Sequence, residues 1–475
     1  MNKTNNIFSP WMFWAAAIII ALVCAYAISA NFLYGIVVFA GIITIIILSY
    51  IIFKNPFWGI ILITFFLPFE RIPSIDLGFM NIKINQIIGG MIMIYFFISV
   101  MAGRTKIRPF SLTWPLVIFY LSIGASLISA TYFPRAILIF AFVVFTSLFM
   151  LLYNQFLTDK EKLITVVKVI FLSSCAVALF SFFQFFGDIV GLPNFITGLD
   201  PGYSSAVFGF PRIQAFSQEP LYLGNFLLLP LGIFIVLFLG KVKEKIIPRI
   251  FIIAMILVLL IILGLTVSRG AYLAFAIMMF VIFIFMARKF FTPKIIATII
   301  LIMVIGIAAI FWFVGKGEDK AINEFVKHVT VQDLQQGESV QGRLIEFERA
   351  FQIAQKNPLT GIGIGNYGVV KKGNLDPATL TEWDIVNNQY IELYAETGII
   401  GLVGFAILII FILWRSIIAF YACKDLFVKY ILLGMLAAFV GILVQYNFFS
   451  TLYIIPIWVL MGLLVATQNI AFKHK

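Results

Sequence analysis

The chain has 475 residues, of which 62% are hydrophobic and 11% charged, with 53 phenylalanines and a formal net charge of +12. Soluble domains carry roughly 25% charged residues, and a chain this apolar cannot cover itself with polar surface, so lipid has to be its solvent. A water-soluble globular enzyme and a nucleic-acid-binding protein are thereby excluded, because the positive charge serves membrane orientation and attraction to anionic headgroups.

Apolar stretches of roughly 18 to 22 residues predict helices long enough to cross a bilayer. In chain order they fall near 11–29, 32–53, 57–69, 84–102, 110–130, 136–156 and 163–186, then 221–240, 250–267, 270–287, 295–315, 396–414, 427–446 and 451–470. The run at 57–69 is short for a span. The expected fold is therefore all-α, a polytopic membrane protein with about 12 to 14 transmembrane helices and a large extracytoplasmic loop carrying short helices. As one integral membrane domain it divides into helices over 1–315 with an outer loop at 187–220, the large loop at 316–395, and C-terminal helices over 396–475.

Short basic loops set the orientation. Arg104, Lys106 and Arg108, then Lys241, Lys243, Lys245 and Arg249, then Arg288, Lys289 and Lys294 fall on one side when spans alternate. By the positive-inside rule that side is cytoplasmic, together with Lys3, Lys473 and Lys475. The first apolar run reads as an uncleaved signal anchor. The loop at 187–220, the Ser268-Arg269-Gly270 turn and the segment at 316–395 then share the outer face.

Cys24, Cys175 and Cys423 lie in or beside predicted spans with no pair spacing, and His328 and His474 have no ligand partners, so neither a disulfide framework nor a metal site is expected. Gly363-Ile-Gly365-Asn-Tyr-Gly368 matches a dinucleotide-binding pattern, but no βαβ unit surrounds it. It reads as a turn after Pro358, with backbone amides that could also face a phosphate.

The polar segment from Lys316 to Ala395 holds the densest chemistry, including Arg343, Arg349, Glu382, Asp384 and Asn387-Asn388-Gln389-Tyr390. Arg212, Arg269 and Arg343 run against the usual charge gradient, each next to a span end. A guanidinium binds phosphate oxygens in a bidentate fork and stays charged when partly desolvated, which suits a pyrophosphate at headgroup level. Taken singly, each is also explained as a snorkelling or ion-paired side chain. Leu344, Phe347, Ala350, Phe351 and Ala354 recur at helical spacing and predict a helix with Arg343 near its start. Asn388, Glu392 and Glu396 recur every four residues on another helix and share its face.

These residues resemble the O-antigen ligase and polymerase superfamily. Asn387 to Leu393 with Glu396-Thr-Gly398-Ile-Ile-Gly401 is similar to its signature HN-x-x-L followed by E-x-G-x-x-G. Gly342-Arg343 through Pro358-Leu-Thr-Gly361-Ile-Gly363 resembles its Arg and P-x-x-G-x-G loop. Ser268-Arg269-Gly270 matches its S-R-G turn, and Arg212 through Gln218-Glu219-Pro220 resembles the segment ahead of a middle helix. One position departs, since the family's ligases carry His where this chain has Asn387. An amide orients a hydroxyl but cannot deprotonate it, which places the chain nearer the polymerase branch.

The resemblance implies glycosyl transfer from an undecaprenyl-pyrophosphate-linked glycan to a lipid-linked repeat unit, without metal or cofactor, on the outer face of the bacterial plasma (inner) membrane. Flippase and chain-length regulator proteins are the implied partners. Catalytic candidates are Glu219, Arg343 and Asn387, and pyrophosphate-binding candidates are Arg212, Arg269, Arg343 and Asn388. Glu219 is the candidate base, because partial burial at the mouth of a span raises a carboxyl pKa. A carboxylate paired with Arg212 or Arg269 is the other reading of Glu219. A ligase, and a lipid-linked oligosaccharide flippase, are the alternative functions.

Overall fold

The computed structural model describes residues 32–72, 74–76, 81–204, 210–240, 242, 246–290, 338–373, 384–450 and 452–474. It is all-α apart from a hairpin of two three-residue strands, β1 (Ser74–Asp76) and β2 (Asn81–Lys83), paired antiparallel with Ile75 opposite Ile82. Among the described residues eight helices are long and apolar enough to cross a membrane, so this is a multi-pass membrane protein. The spans expected at 11–29 and 295–315, His328 and Glu382 lie outside the described residues.

Two compact units are present, residues 1–59 with 90–105 and residues 60–89 with 106–475. In the first, α1 (Phe32–Lys54) and the later part of α3 (Ile84–Met101) meet through Phe53 and Tyr95, edge to face at 5.3 Å. The helix α2 (Phe57–Phe65) has nine residues. At 1.5 Å per residue it is about 14 Å long, too short to cross.

The second unit carries everything relevant to chemistry. Its helices are α4 (Thr113–Ala125), α5 (Phe133–Phe156), α6 (Lys160–Ile189), the single turn α7 (Asn194–Thr197), α8 (Pro220–Leu239), α9 (Arg249–Leu265), α10 (Arg269–Phe290), α11 (Glu338–Lys356), α12 (Tyr367–Lys372), α13 (Gln389–Ala422), α14 (Leu426–Gln445) and α15 (Ile455–Lys473). The core helices are apolar all round, and α8 and α15 are buried over most of their length, as lipid-embedded bundles require. With no water to expel between helices, close backbone approach drives association. Gly232 of α8 and Gly434 of α14 supply it: a Cβ on Gly434 would lie 2.7 Å from the Gly232 carbonyl oxygen. Gly224 does the same against Ala271, where a Cβ would come within 2.4 Å. This packing sets the first turns of α8 and α10 side by side.

One end of this bundle is basic. Lys160 pairs with Asp425 at 2.6 Å, Lys473 donates to the Thr158 carbonyl at 2.9 Å, and Arg108 donates its amide to Gln155 at 3.0 Å. At the other end lie Glu219, Arg269 and Arg343. Helix α13 starts at Gln389, ahead of the expected span start at 396, because the Asn388 side chain caps it by accepting from the Tyr390 and Ile391 amides, both at 3.1 Å.

A bulky side chain at the α8–α14 crossing should separate the two helices. Gly434→Leu is expected to lower the thermal midpoint of the detergent-purified protein sharply. Gly264→Ala, where an added methyl meets nothing within 4 Å, should leave it unchanged. Dye-free melting curves would check both.

Candidate functional site

The N-terminus of α8 begins the site. Pro220 occupies the first helical position, where its missing N–H costs nothing. Glu219 sits at the N-cap in extended conformation, yet its carboxylate makes no cap bond. It accepts instead from the Tyr203 hydroxyl, under the charges of Arg212 and Arg343. Burial pushes the Glu219 carboxyl above the ordinary range, opposed by the Tyr203 bond and the two arginines. Tyr203 is itself pushed up to about 12, by burial and then by Glu219.

Three separate segments bring the arginines here. Arg212 lies over the Tyr203 ring at 5.7 Å and donates from Nε to the Thr266 carbonyl at 3.3 Å. That carbonyl belongs to the turn ahead of α10, where Val267 adopts a left-handed φ of 46° and Arg269 follows. Arg343 projects from the second turn of α11 into the fields of Glu219 and Arg269. Burial lowers the pKa of both Arg212 and Arg343, and Arg343 adds its like charge to the effect on Arg212. The site thus gathers Arg212, Arg269, Arg343 and Glu219, with Asp200 as a further negative charge acting on Glu219.

Asn387 and Asn388 have different positions. Asn388 is buried and spends its side-chain oxygen on the α13 cap while donating to the Asn447 carbonyl at 3.5 Å. Asn387 takes a left-handed φ of 59°, a conformation that Asn tolerates better than most residues. Its side chain is half-buried. Among the described residues no hydrogen bond joins either to the arginine cluster.

The two glycine motifs are halves of one interlock. The amides of Gly365 and Tyr367 donate to the Glu396 carboxylate at 2.8 and 3.0 Å, and the Tyr453 hydroxyl adds a third bond at 2.9 Å. The anion those loop amides meet is therefore a protein carboxylate. Two residues on, Gly398 kinks α13 with φ 63° and ψ −169°, a region open to glycine. The amides of Ile399 and Ile400 then find the carbonyls of Pro358 and Leu359, at 2.9 and 3.3 Å. A Cβ on Gly398 would lie 2.2 Å from the Leu359 oxygen.

Helix α11 packs through Phe347, Ala350, Ile353 and Ala354 onto Tyr367, Val386 and Ala395. Leu344 and Phe351, expected on the packed face, are at least half exposed, because the buried stripe is centred on the alanines. Arg349 and Lys371 pair with Glu346 at 3.2 and 3.1 Å. Their charge is thereby spent within the loop.

Sequence reasoning missed the supports beneath the site. Gln184 of α6, fully buried, accepts from the Ala215 amide at 2.8 Å and donates to its carbonyl at 3.2 Å, holding Ala215 at φ 48°. Phe216 stacks between Phe69 and Phe180 at 4.1 and 4.4 Å, and its carbonyl accepts from the amides of Glu70 and Arg71. The Arg71 guanidinium donates to the Gly198 carbonyl. Glu70 is buried, which pushes its carboxyl up to about 7 against the pull of Lys83. The charged pair directly after an undersized apolar run was the available signal.

A family model described as O-antigen ligase matches residues 254–406. That stretch is similar to the O-antigen ligase family over about a third of the chain. The matched stretch runs from α9 through the S-R-G turn, α11 and the glycine interlock to α13, and includes Arg269, Arg343 and Asn387. No curated protein matches the chain.

If Glu396 clamps the loop, Glu396→Gln weakens charge-assisted bonds worth about 1.5 to 3 kcal/mol each. Hydrogen exchange at the Gly365 and Tyr367 amides is then expected to accelerate about tenfold or more, since 1.4 kcal/mol is a factor of ten. Exchange mass spectrometry over 359–370 reads it.

Proposed function

We propose that this protein is a polysaccharide polymerase that transfers a glycan from an undecaprenyl pyrophosphate carrier to the sugar hydroxyl of a lipid-linked repeat unit. The observation that carries this reading is the meeting of Arg212, Arg269 and Arg343, from three segments, with Glu219 at one end of the bundle. Pyrophosphate leaves readily once its developing charge is met by fixed cations, and partly desolvated guanidiniums meet it strongly. No metal is required for that step. Glu219 takes the proton of the acceptor hydroxyl as the oxygen attacks the anomeric carbon, and the carrier pyrophosphate departs into the arginine cluster with inversion. Asn387 orients the acceptor.

The basic residues at the far end of the bundle support an orientation with both termini cytoplasmic and the arginine cluster on the outer face of the plasma membrane. A glycan ligase is the second reading, favoured by the description of the matched family. The absence of an imidazole at Asn387 favours the polymerase.

Deleting the gene in its host separates these readings. Single repeat units accumulating on the lipid carrier with no long chains, seen by gel and by mass spectrometry of the carrier pool, are expected for a polymerase. Complete chains retained on the carrier would mean a ligase, and units trapped on the inner face would mean a flippase. Arg343→Ala and Arg269→Ala should each cut polymer formation by about 100-fold or more while the protein stays in the membrane. Glu219→Gln should match them. Asn387→His, compatible with the left-handed backbone, should retain chain formation.

A raised carboxyl pKa means that Glu219 is protonated further into the neutral direction, so activity appears as the pH rises through that value. Tyr203→Phe removes a bond that favours the carboxylate. The acid limb of the rate profile is therefore expected to move to higher pH, measured as initial rates in proteoliposomes.

A further inference from the structure

Arg415 lies on the lipid-crossing part of α13, two turns before its last residue and at the end remote from Glu219. Its guanidinium donates to Gln468 Oε1 at 2.5 Å and Asn469 Oδ1 at 2.7 Å, and sits 4.9 Å over the Phe472 ring. Both amides are fixed from behind. Gln468 Nε2 donates to Ser416 Oγ at 2.7 Å and the Ile412 carbonyl at 3.2 Å. Asn469 Nδ2 donates to Asn154 Oδ1 at 2.7 Å, and Asn154 in turn to the Pro109 carbonyl at 3.3 Å. The arginine is thus held rigidly by neutral groups, and among the described residues no carboxylate pairs with it.

A cation at membrane depth with only neutral partners is costly unless an anion completes it. Two carboxylates at this end are committed elsewhere: Asp425 to Lys160 and the Val428 amide, Asp159 to Lys162. Lys424 and Lys473 border the same helix ends, tied in by the bond from the Lys424 amide to the His474 carbonyl at 2.8 Å and by that from Lys473 to Thr158. Trp414 and Tyr421, 56% and 70% exposed, lie seven residues apart on one outward face of α13 beside the face that carries Arg415. Such amphipathic rings settle at the headgroup boundary. The guanidinium carries five donors, more than its two amide partners use.

We propose that Arg415, framed by Gln468 and Asn469 and backed by Lys424 and Lys473, binds the phosphate of an anionic phospholipid in the leaflet opposite the arginine cluster. The guanidinium fork grips the phosphodiester, the lysines attract its charge, and Trp414 and Tyr421 bracket the glycerol level. This site is separate from the glycosyl-transfer site and does not depend on that reading.

The test uses full-length protein in a neutral detergent, with dioleoylphosphatidylglycerol, dioleoylphosphatidylcholine or inorganic phosphate added. Phosphatidylglycerol is expected to remain bound in native mass spectra and to raise the thermal midpoint, whereas phosphatidylcholine and phosphate do neither. Arg415→Gln should weaken phosphatidylglycerol binding about fivefold or more, and Lys356→Gln, at an exposed lysine in the last turn of α11, should not. Should Arg415→Gln fail to fold, Lys424→Gln with Lys473→Gln takes its place, with the same loss expected. Equal retention of the two phospholipids by the wild type, undiminished binding in the variants, or an equal shift with phosphate alone would each overturn the proposal.

Discussion

Like charges drawn out of water repel, and one end of this bundle holds Arg343 in the fields of both Arg212 and Arg269 with Glu219 among them. That arrangement is stable only where the fold holds each arginine from behind. Arg212 rests on the Tyr203 ring and the Thr266 carbonyl, while the segment carrying it is bound by Gln184, by the Glu70 and Arg71 amides and by the Phe69–Phe216–Phe180 stack. Arg269 rides on α10, seated against α8 by the approach of Gly224 to Ala271. The positive field left after Glu219 is what an incoming pyrophosphate would meet.

Arg343 is held by a longer chain of consequence. Its helix is joined to α13 by the segment 358–367, which in turn is braced by Glu396 and by the amides freed at Gly398. A kink normally exposes backbone donors, and here the carbonyls of Pro358 and Leu359 take them. Glycine is demanded at Gly398 by its dihedral angles and by the 2.2 Å that a Cβ would leave to Leu359. The glycine motifs are therefore joinery, and the residue they serve is an arginine some fifty residues upstream of the kink.

Much of this was legible in the chain. Apolar run lengths placed α5, α6, α8, α10, α14 and α15 within a few residues, because a bilayer imposes one thickness on every span. Alternation of spans put Arg212, Arg269 and Arg343 on one expected face, whereas their approach to one another and to Glu219 needed the fold. Less was legible where a partner distant in sequence decides. Nothing local distinguishes Gln184 from other polar residues in spans, and Asn388 read as a substrate ligand before its capping bonds were seen. Helix periodicity gave α11 but not which edge of its stripe is packed, since small alanines took the contact that Leu344 and Phe351 were expected to make. The deeper placement of Glu396 was legible as a face, whereas its role as an anchor for backbone amides needed the loop in three dimensions.

The most direct test is a cryo-electron microscopy map of the protein in nanodiscs with a short-chain polyprenyl diphosphate sugar. Diphosphate density is expected between Arg212, Arg269 and Arg343, with the sugar turned toward Glu219. Diphosphate density bound elsewhere, with the three guanidiniums paired only to protein, would contradict it.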